Sequence, residues 1–341
     1  MILVKENKSF PKPSIPAPNV LIDHKNKENI PNTIKLHKKI NYINNNHSKR
    51  KFGTDLSNQS INESNSRCTE IYYNNLIKLK LIPILPIYLN EYFKDIMFNL
   101  KVTEDFTELS FGYLKSFQPD INDIMRSILL DWIVDVHLKF GLLPETLYIT
   151  VYIIDRYLKN RKVSRSKFQL IGITSLLIAC KYEEISVPEM SDLVYISDGA
   201  YTKSEIISME SEILSAIEYN ITFGSSLKFL ELYNVMFHMD EELYMLSRYI
   251  LELFLVDYLM LKYKNSLLAA VAIFIALKIT KKFSTDIIPL ISNYDLESIK
   301  NCAIDACVVI DKNEKSTLKA ITKKFRSEKY CQVSNILLHL N

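Results

Sequence analysis

The sequence predicts an all-helical protein made of two similar five-helix units. Residues 170–180, LIGITSLLIAC, contain no charge and are apolar on every helical face, which is typical of a helix enclosed by other helices. A second run, residues 267–277, LLAAVAIFIAL, has the same character, and a lysine (Lys181 or Lys278) follows each run. Both runs are well short of the roughly 20 residues that a membrane span needs. Two amphipathic segments precede each run and two shorter ones follow it, which indicates an internal repeat.

The composition excludes several classes of function. The chain has 341 residues and only six glycines, and no two of these are close enough to form a phosphate-binding loop. The six histidines show neither metal-ligand spacing nor a neighbouring nucleophile, so we expect no catalytic site, no metal and no cofactor. No basic segment followed by an apolar run opens the chain, so no secretory signal is predicted. A binding or regulatory function is favoured.

The five cysteines form no CxxC pair, so a zinc site is not expected. Cys180 and Cys307 fall in apolar helical segments. We interpret the set as reduced core thiols of an intracellular protein. The set comprises Cys68, Cys180, Cys302, Cys307 and Cys331.

Residues 1–80 are rich in Asn, Lys, Ser and Pro and are predicted to form a disordered regulatory tail. They contain 14 basic and 6 acidic side chains, but the lysines are scattered among asparagines, so we do not expect nucleic-acid binding. The tripeptide KEN occurs twice, as Lys5-Glu6-Asn7 and Lys27-Glu28-Asn29. Lys49-Arg50-Lys51 is either a solvated charge run or a nuclear import signal.

The predicted domain boundaries follow the repeat. An amphipathic helix is expected near residues 83–100, because Tyr88, Tyr92, Ile96 and Leu100 recur every four residues. The predicted parts are a helix and linker over 83–120, a first unit over 121–222, a second over 223–312, and a C-terminal helix and tail over 313–341.

Cap signals and periodicity predict the individual helices. Asp120 is the expected N-cap of the first helix, and Ser166 with Gln169 and Thr202 with Glu205 form expected capping boxes. In the first unit we expect helices at about 120–140, 144–160, 166–184, from 188, and at 202–218. In the second we expect 225–237, 240–259, 265–281, 284–292 and 294–311, then a basic helix at 315–326.

Two groups of charged residues lie within or next to apolar segments. Arg126 lies among apolar residues, where an unpaired charge costs several kcal/mol, so it needs a carboxylate, and Asp155 is the candidate. Lys181 suits the negative end of a helix dipole, whereas Glu183 and Glu184 do not. The two glutamates indicate either an outside partner or a solvated helix end.

Four long blocks resemble the cyclin box, and most closely that of B-type mitotic cyclins. They are MRSILLDWIVDVHLKF, ETLYITVYIIDRYL, VSRSKFQLIGITSLLIACKYEE and VYISDGAYTKSEIISMESEIL. The likeness runs from about Glu91 to Glu218, and the second unit is similar more weakly through LELFLVDYLMLKY. Cyclins contain two five-helix units, in agreement with the repeat.

The resemblance implies that the first unit binds a cyclin-dependent kinase. The family's lysine and glutamate that hydrogen-bond the kinase backbone fall on Lys181 and Glu210. The alternative to kinase binding is that the apolar residues of this set are ordinary core residues and that Lys181 and Glu210 are solvated charges. The implied apolar contacts are Ile178, Tyr182, Leu214, Tyr219 and Ile221.

The resemblance also implies a patch that docks Arg-x-Leu segments of substrates and inhibitors. Apolar residues there accept the peptide leucine and a carboxylate accepts its arginine. Phe168 replaces the usual leucine, and Asp135 is one methylene shorter than the usual glutamate. The patch comprises Met125, Ile128, Leu129, Trp132, Asp135, Phe168 and Gln169. Arg126 and Asp155 match the family's buried ion pair and are assigned a structural role.

The expected function is therefore a regulatory subunit, itself not an enzyme, that activates a cyclin-dependent kinase at G2/M in the nucleus and cytoplasm. The KEN motifs resemble degrons read by the anaphase-promoting complex. No membrane partner is expected. The alternative is a cyclin-fold transcription protein, either a transcriptional cyclin or one similar to transcription factor IIB. The latter should begin with a cysteine zinc ribbon, and Cys68 is the only cysteine before the first unit.

Overall fold

The computed structural model describes residues 87–338 except for 108, 110 and 283. The predicted tail, its two KEN motifs, Lys49-Arg50-Lys51 and Cys68 lie outside the described residues. Within the described part every regular element is helical, which confirms the predicted all-helical fold. The predicted domain boundaries stay predictions.

The helices form the two predicted five-helix bundles in chain order. Two helices come first, α1 (Ile87–Phe106) and α2 (Tyr113–Phe117). The first bundle is α3 (Asp123–Phe140), α4 (Pro144–Asn160), α5 (Arg165–Glu183), α6 (Met190–Ile196) and α7 (Lys203–Ala216). The second is α8 (Ser226–Phe237), α9 (Glu241–Val256), α10 (Asn265–Thr280), α11 (Ile287–Ser292) and α12 (Leu296–Lys315), with a 3-10 turn at Tyr258–Lys262. The chain then forms α13 (Ala320–Lys324), a 3-10 turn at Glu328–Tyr330 and α14 (Ser334–Leu338).

Each bundle is organised around its apolar central helix, as predicted. All residues from 170 to 180 in α5 and from 266 to 277 in α10 are buried. Helix α5 packs against α3, α4 and α7, and α10 packs in the same way against α8, α9 and α12. At the crossing of α3 and α5, a Cβ on Gly172 would lie 2.8 Å from Leu129 Cδ1. The absence of a side chain at Gly172 therefore permits the close approach of the two helices.

One of the three predicted cap assignments is confirmed and two are wrong. Thr202 and Glu205 form both bonds of a capping box, at 3.2 and 2.8 Å. The N-cap of α3 is Asn122, which accepts a bond from Met125 N, and not Asp120, whose carbonyl instead accepts a bond from Arg165 Nε. The extended N-cap of α5 is Ser164, so the predicted box from Ser166 to Gln169 lies inside the helix.

The C-terminal segment differs from the long basic helix predicted at 315–326. Lys319 donates from Nζ to the carbonyls of Asn313 and Glu314 at the end of α12, which satisfies orphan acceptors there. Only the short helix α13 then follows. The chain turns back so that Ala320 N donates to Asp131 on α3 at 3.0 Å. The segment thereby touches the first bundle.

Helix α1 is attached to the second bundle through its C-terminal half. The buried Glu104 carboxylate accepts bonds from Ser266 N at 2.6 Å and Ser266 Oγ at 2.8 Å. It therefore satisfies one backbone donor at the start of α10, which has no side-chain cap of its own. Burial raises the pKa of Glu104, and the bonds from Ser266 oppose that shift.

The predicted core thiols are only partly core residues. Cys180 and Cys302 are buried, and burial raises the pKa of each thiol to about 12. Cys307 is exposed and Cys331 is half-buried, which corrects the prediction for these two. Cys307 lies on the outer face of the amphipathic helix α12, which an apolar neighbourhood in sequence does not reveal.

Candidate functional site

Lys181 and Glu210 lie side by side at one end of the first bundle. Lys181 occupies the last turn of α5 and Glu210 the middle of the neighbouring helix α7. The ammonium Nζ lies 2.6 Å from Glu210 Oε1 and 2.9 Å from Oε2. The lysine side chain is 47% exposed and the glutamate side chain 16%. The two residues predicted to act together are therefore neighbours on an accessible face.

This pair can bond to another chain without separating. An ammonium group has three N–H donors, and each carboxylate oxygen has more than one acceptor position. Glu210 also holds the long Lys181 side chain in one orientation, which lowers the entropy lost on binding. The arrangement suits recognition of backbone carbonyl and N–H groups.

Most of the apolar side chains predicted to act with the pair are at least partly accessible. Tyr182 is exposed, and its hydroxyl lies 2.8 Å from Thr222 Oγ1. Tyr219 is exposed, and Leu214 and Ile221 are half-buried. Ile178 is only 3% exposed and packs in the core, and its role as a kinase contact stays a prediction.

Two further exposed apolar residues, Ile185 and Ile207, lie close to the pair along the chain and were not predicted. Ile185 directly follows Glu184 and is fully exposed, and Ile207 is an exposed residue of α7 one turn before Glu210. Exposed large apolar residues grouped around a polar pair are typical of a protein interface. The buried residues of α7 are Ile206, Met209 and Ile213, and Ile207 falls outside this helical period. The sequence therefore contained a signal that Ile207 is exposed.

The interpretation of Glu184 also changes. Its Oε1 accepts bonds from Leu143 N at 2.7 Å and Thr146 Oγ1 at 2.5 Å. Leu143 is the N-cap residue of α4 and has no side-chain oxygen to offer. Glu184 therefore caps α4 from outside, and its charge at the end of α5 has an internal partner.

The predicted docking patch lies along α3 and the first turns of α5, which pack together. Ile128 and Asp135 are exposed, and Met125, Trp132 and Gln169 are half-buried. Leu129 and Phe168 are buried and pack in the core of the bundle, and their part in the patch stays a prediction. The contact of Leu129 with Gly172 explains its burial.

The predicted ion pair between Arg126 and Asp155 is present and fully buried. Arg126 donates from Nε to Oδ1 and from Nη2 to Oδ2, both at 2.7 Å. Tyr113 donates to the same carboxylate at 2.7 Å, and burial beside Asp155 raises the pKa of that phenol. Arg126 Nη1 also donates to Val256 O at 2.9 Å. The guanidinium thus joins α3 and α4 to the C-terminal end of α9.

The described residues contain neither a metal-binding cluster nor a membrane-spanning helix. No group of three or more His, Cys, Asp or Glu side chains in residues 87–338, outside the three omitted positions, is arranged to hold a metal ion. None of the helices described has the length and apolar character needed to cross a bilayer.

Two family models match the chain. "Cyclin, N-terminal domain" matches residues 95–222, and "Cyclin, C-terminal domain" matches residues 225–337. The two matches correspond to the two helical bundles.

Curated relatives show the same similarity. Cyclin-B2-1 of Oryza sativa subsp. japonica is 44% identical over 191 residues, which are 56% of this chain and 45% of that protein. The G2/mitotic-specific cyclin-B of Dictyostelium discoideum is 36% identical over 254 residues, which are 74% of this chain and 58% of that protein. The chain thus spans about half the length of the curated relatives it matches.

Solved structures support the fold. A viral cyclin from herpesvirus saimiri superposes with a TM-score of 0.56 at 19% identity, covering 64% of this chain and 96% of its own. A chain of the yeast RNA Pol II CTD kinase CTDK-1 complex superposes with a TM-score of 0.50 at 15% identity, covering 61% of this chain and 73% of its own. At these identities the likeness concerns the fold alone.

Proposed function

The chain belongs to the cyclin family, and from this premise we propose that it is the regulatory subunit that binds and activates a cyclin-dependent kinase at G2/M. The observation that carries the proposal is the contact of Lys181 with Glu210 on an exposed face bordered by apolar side chains. The curated relatives described above are B-type or G2/mitotic-specific cyclins, which supports the cell-cycle step.

The mechanism is a shift in the kinase's conformational equilibrium. Phosphoryl transfer requires a strand lysine of the kinase to pair with a glutamate on its mobile helix. A partner that binds only the arrangement with this pair formed increases its population. A change from 1:99 to 99:1 needs about 5.5 kcal/mol of differential binding. The cyclin supplies this binding energy and no chemistry.

Replacing both Lys181 and Glu210 with alanine is expected to weaken kinase binding roughly a hundredfold, because at least one charge-assisted hydrogen bond to the partner is lost. The Kd and the histone-kinase activity of the complex with purified cyclin-dependent kinase measure this. Circular dichroism should show an unchanged fold, because the pair is partly exposed.

The matched control is the double replacement of Lys264 and Asp105 with alanine. This pair also joins two helical segments at 2.6 Å, and its lysine is exposed to a similar degree (43% against 47%), but it lies outside the predicted site. The control should bind normally. Full kinase activity from the Lys181 and Glu210 double variant would refute the assignment. Recovery of RNA polymerase or promoter DNA in place of a kinase in a pull-down would favour the transcription alternative.

Substrates are recruited through the exposed part of the docking patch. Ile128→Ala is expected to lower kcat/KM about tenfold for a substrate with an Arg-x-Leu segment, because a well-placed aliphatic side chain is lost. A peptide lacking the segment should be phosphorylated as before. Ile128 suits this test better than the half-buried Trp132, whose truncation would also disturb the core.

Ile124→Ala is the control for this experiment. Ile124 is the same residue type on the same helix, one turn earlier, and the side chains of Ile124 and Ile128 are 66% and 52% exposed. It lies outside the predicted patch, so its truncation should leave kcat/KM unchanged both for the substrate with the Arg-x-Leu segment and for the peptide without it. Equal losses from both variants would argue against a patch at Ile128.

Degradation and location complete the proposal. The KEN motifs Lys5-Glu6-Asn7 and Lys27-Glu28-Asn29 recruit the anaphase-promoting complex, which ends the protein's activity after mitosis. The protein acts in the nucleus and cytoplasm. The sequence of each motif supports this part of the proposal.

A further inference from the structure

The linker between α4 and α5 carries a concentrated positive charge. Residues 159–167 read KNRKVSRSK and contain five basic residues and no acidic residue. Four of the five are exposed, and the fifth is half-buried. Like charges so close together repel one another, so their grouping at one place suits an anionic partner. This basic edge comprises Lys159, Arg161, Lys162, Arg165 and Lys167.

The charge of the basic edge is not neutralised within the protein. In the part of the chain that the structure describes, none of its five members forms an ion pair. Lysines elsewhere behave differently, since Lys228, Lys282 and Lys312 lie 3.3, 2.8 and 2.8 Å from carboxylate oxygens. The basic edge therefore leaves its cationic groups available to another molecule.

Two of these cations lie where a helix disfavours them. Arg165 and Lys167 belong to the first turn of α5, which contains no acidic residue. The N-terminal end of a helix has a partial positive charge, so cations there lower its stability. The N-cap residue Ser164 makes no side-chain bond that would offset this cost. Stabilisation of α5 therefore does not account for the two side chains, whereas binding of an anionic group does.

The backbone that carries the basic edge is held in place by the buried side chain of Gln118. Its Nε2 donates to the carbonyls of Leu158 and Arg161, the latter at 2.6 Å. Its Oε1 accepts a bond from Val163 N at 3.0 Å, and the Val163 side chain is buried. A backbone fixed in this way lowers the entropy that is lost when its side chains bind a partner.

The basic edge lies beside the beginning of α3. Arg165 Nε, at the start of α5, donates to the carbonyl of Asp120, just before α3, at 3.0 Å. In the later turns of the same two helices, Val136 of α3 packs in one cluster with Leu176 and Cys180 of α5. Helices α3 and α5 therefore run in the same direction, and the basic edge adjoins the N-terminal end of the predicted docking patch.

This placement gives a docked segment a direction. Asp135, predicted to accept the peptide arginine, lies about 15 Å further along α3 than Met125, one of the apolar residues predicted to accept the leucine. A segment that runs from its arginine to its leucine thus runs towards the beginning of α3. Lys167 directly precedes Phe168 and Gln169 of the patch. Residues that follow the leucine therefore approach the basic edge.

An acidic protein segment suits this surface better than a nucleic acid. Residues 159–167 contain no aromatic side chain on which a base could stack. Burial and the Glu212 carboxylate raise the pKa of Tyr157, and Arg161 opposes that shift, so a carboxylate lies near Arg161. This carboxylate would repel a continuous phosphate backbone. Separate carboxylates of a peptide can avoid it and bind the arginine and lysine groups.

From these charges and their position beside the patch, we propose that the basic edge binds acidic residues that follow the leucine of an Arg-x-Leu segment. The protein then prefers substrates and inhibitors with a run of Asp or Glu directly C-terminal to that leucine. This inference rests on the docking patch of the proposed function and names the class of segment that the patch selects. Lys181 lies about 24 Å along α5 from Arg165, so a kinase and the acidic run can bind together.

Peptides that differ only in their flanks test the proposal. One has an Arg-x-Leu segment followed by a run of glutamates, and the other has glutamines in the same places. Fluorescence anisotropy with the full-length chain at low salt should give a Kd about tenfold lower for the glutamate peptide, as expected for a few partly exposed charge contacts. Glutamates placed before the arginine should give no such gain. The gain should shrink as salt is added.

Charge reversal identifies the side chains responsible. The double replacement Lys162→Glu with Lys167→Glu should abolish the difference between the two peptides, and circular dichroism should show it folded because both side chains are exposed. The matched control is Lys300→Glu with Lys329→Glu, which changes the net charge equally at exposed lysines far along the chain. The control should keep the difference. Its loss in both variants would mean that only overall charge matters and would overturn the proposal.

The docking patch and the basic edge fail in different ways. Unchanged binding of the glutamine peptide to Ile128→Ala would refute the patch, and this inference with it. A glutamine peptide that depends on Ile128, together with a glutamate peptide that binds no more tightly, would refute the basic edge alone. Tighter binding of a single-stranded oligonucleotide than of a glutamate peptide of equal charge would also overturn the proposal, in favour of a nucleic-acid partner.

Discussion

Replacing Arg126 with methionine is expected to lower the free energy of unfolding by about 3–5 kcal/mol, which is a large part of the stability of most domains. The change leaves the Asp155 carboxylate buried with Tyr113 as its remaining bonding partner. It also removes a donor from Val256 O at the end of α9. Urea unfolding followed by circular dichroism measures the loss.

The control separates loss of a buried charge pair from loss of any ion pair. Lys264→Ala removes one member of an exposed pair, which typically contributes less than about 1 kcal/mol. The double replacement Arg126→Met with Asp155→Leu should cost less than the sum of its two single changes, because neither charge is left alone. Full additivity would show that the two side chains act independently, contrary to the observed contact.

Removing Glu252 is expected to cost more than removing its partner Lys324. Lys324 Nζ lies 2.8 Å from both carboxylate oxygens of Glu252, and each side chain is 1% exposed. Arg248 lies 3.7 Å from the same carboxylate. Glu252→Leu therefore leaves two buried cations without a carboxylate and should cost about 3–5 kcal/mol. Lys324→Met leaves Glu252 with Arg248 and should cost less.

Urea unfolding of the two variants and of the double replacement checks this asymmetry. The physical reason is that one carboxylate serves two cations, so its loss leaves more uncompensated charge than the loss of either cation. An equal or larger loss from Lys324→Met would mean that Arg248 does not stabilise the carboxylate. The pair joins the C-terminal segment to α9, so limited proteolysis after α12 should accelerate in both variants.

These two buried pairs have a common structural role. Arg126 connects the first bundle to the carbonyl end of α9, and Lys324 connects the last segment to Glu252 in the C-terminal half of α9. Both contacts span more than 70 positions of the chain. Helix α9 is thus held by charged side chains from two separate segments of the chain, in addition to its apolar packing.

The helices were predictable because the required information is local. Period and charge identify an amphipathic or enclosed helix within one window of sequence, and α4, α5 and α10 were recognised in this way. Cap positions were less predictable. Asp120 and Ser166 are suitable cap residues, but Asn122 and Ser164 stand close by and the backbone selects between them.

The site was predictable only in part. Family resemblance paired Lys181 with Glu210, and periodicity alone would not have done so, because 29 positions separate them. The exposure of Ile185 and Ile207 and the burial of Ile178, Leu129 and Phe168 depend on neighbouring helices. A short stretch of sequence shows that a residue is apolar, but it does not show whether another helix packs against that residue.

The sequence by itself determined the class of fold, the two repeats, their central helices and the need of Arg126 for a carboxylate. Those features follow from hydrophobic period and from the cost of an unpaired buried charge, both of which act at short range along the chain. Tertiary structure decided that Glu184 caps α4 and that Glu252 serves two cations. These features arise where helices distant in sequence meet, so they depend on packing that no single segment encodes.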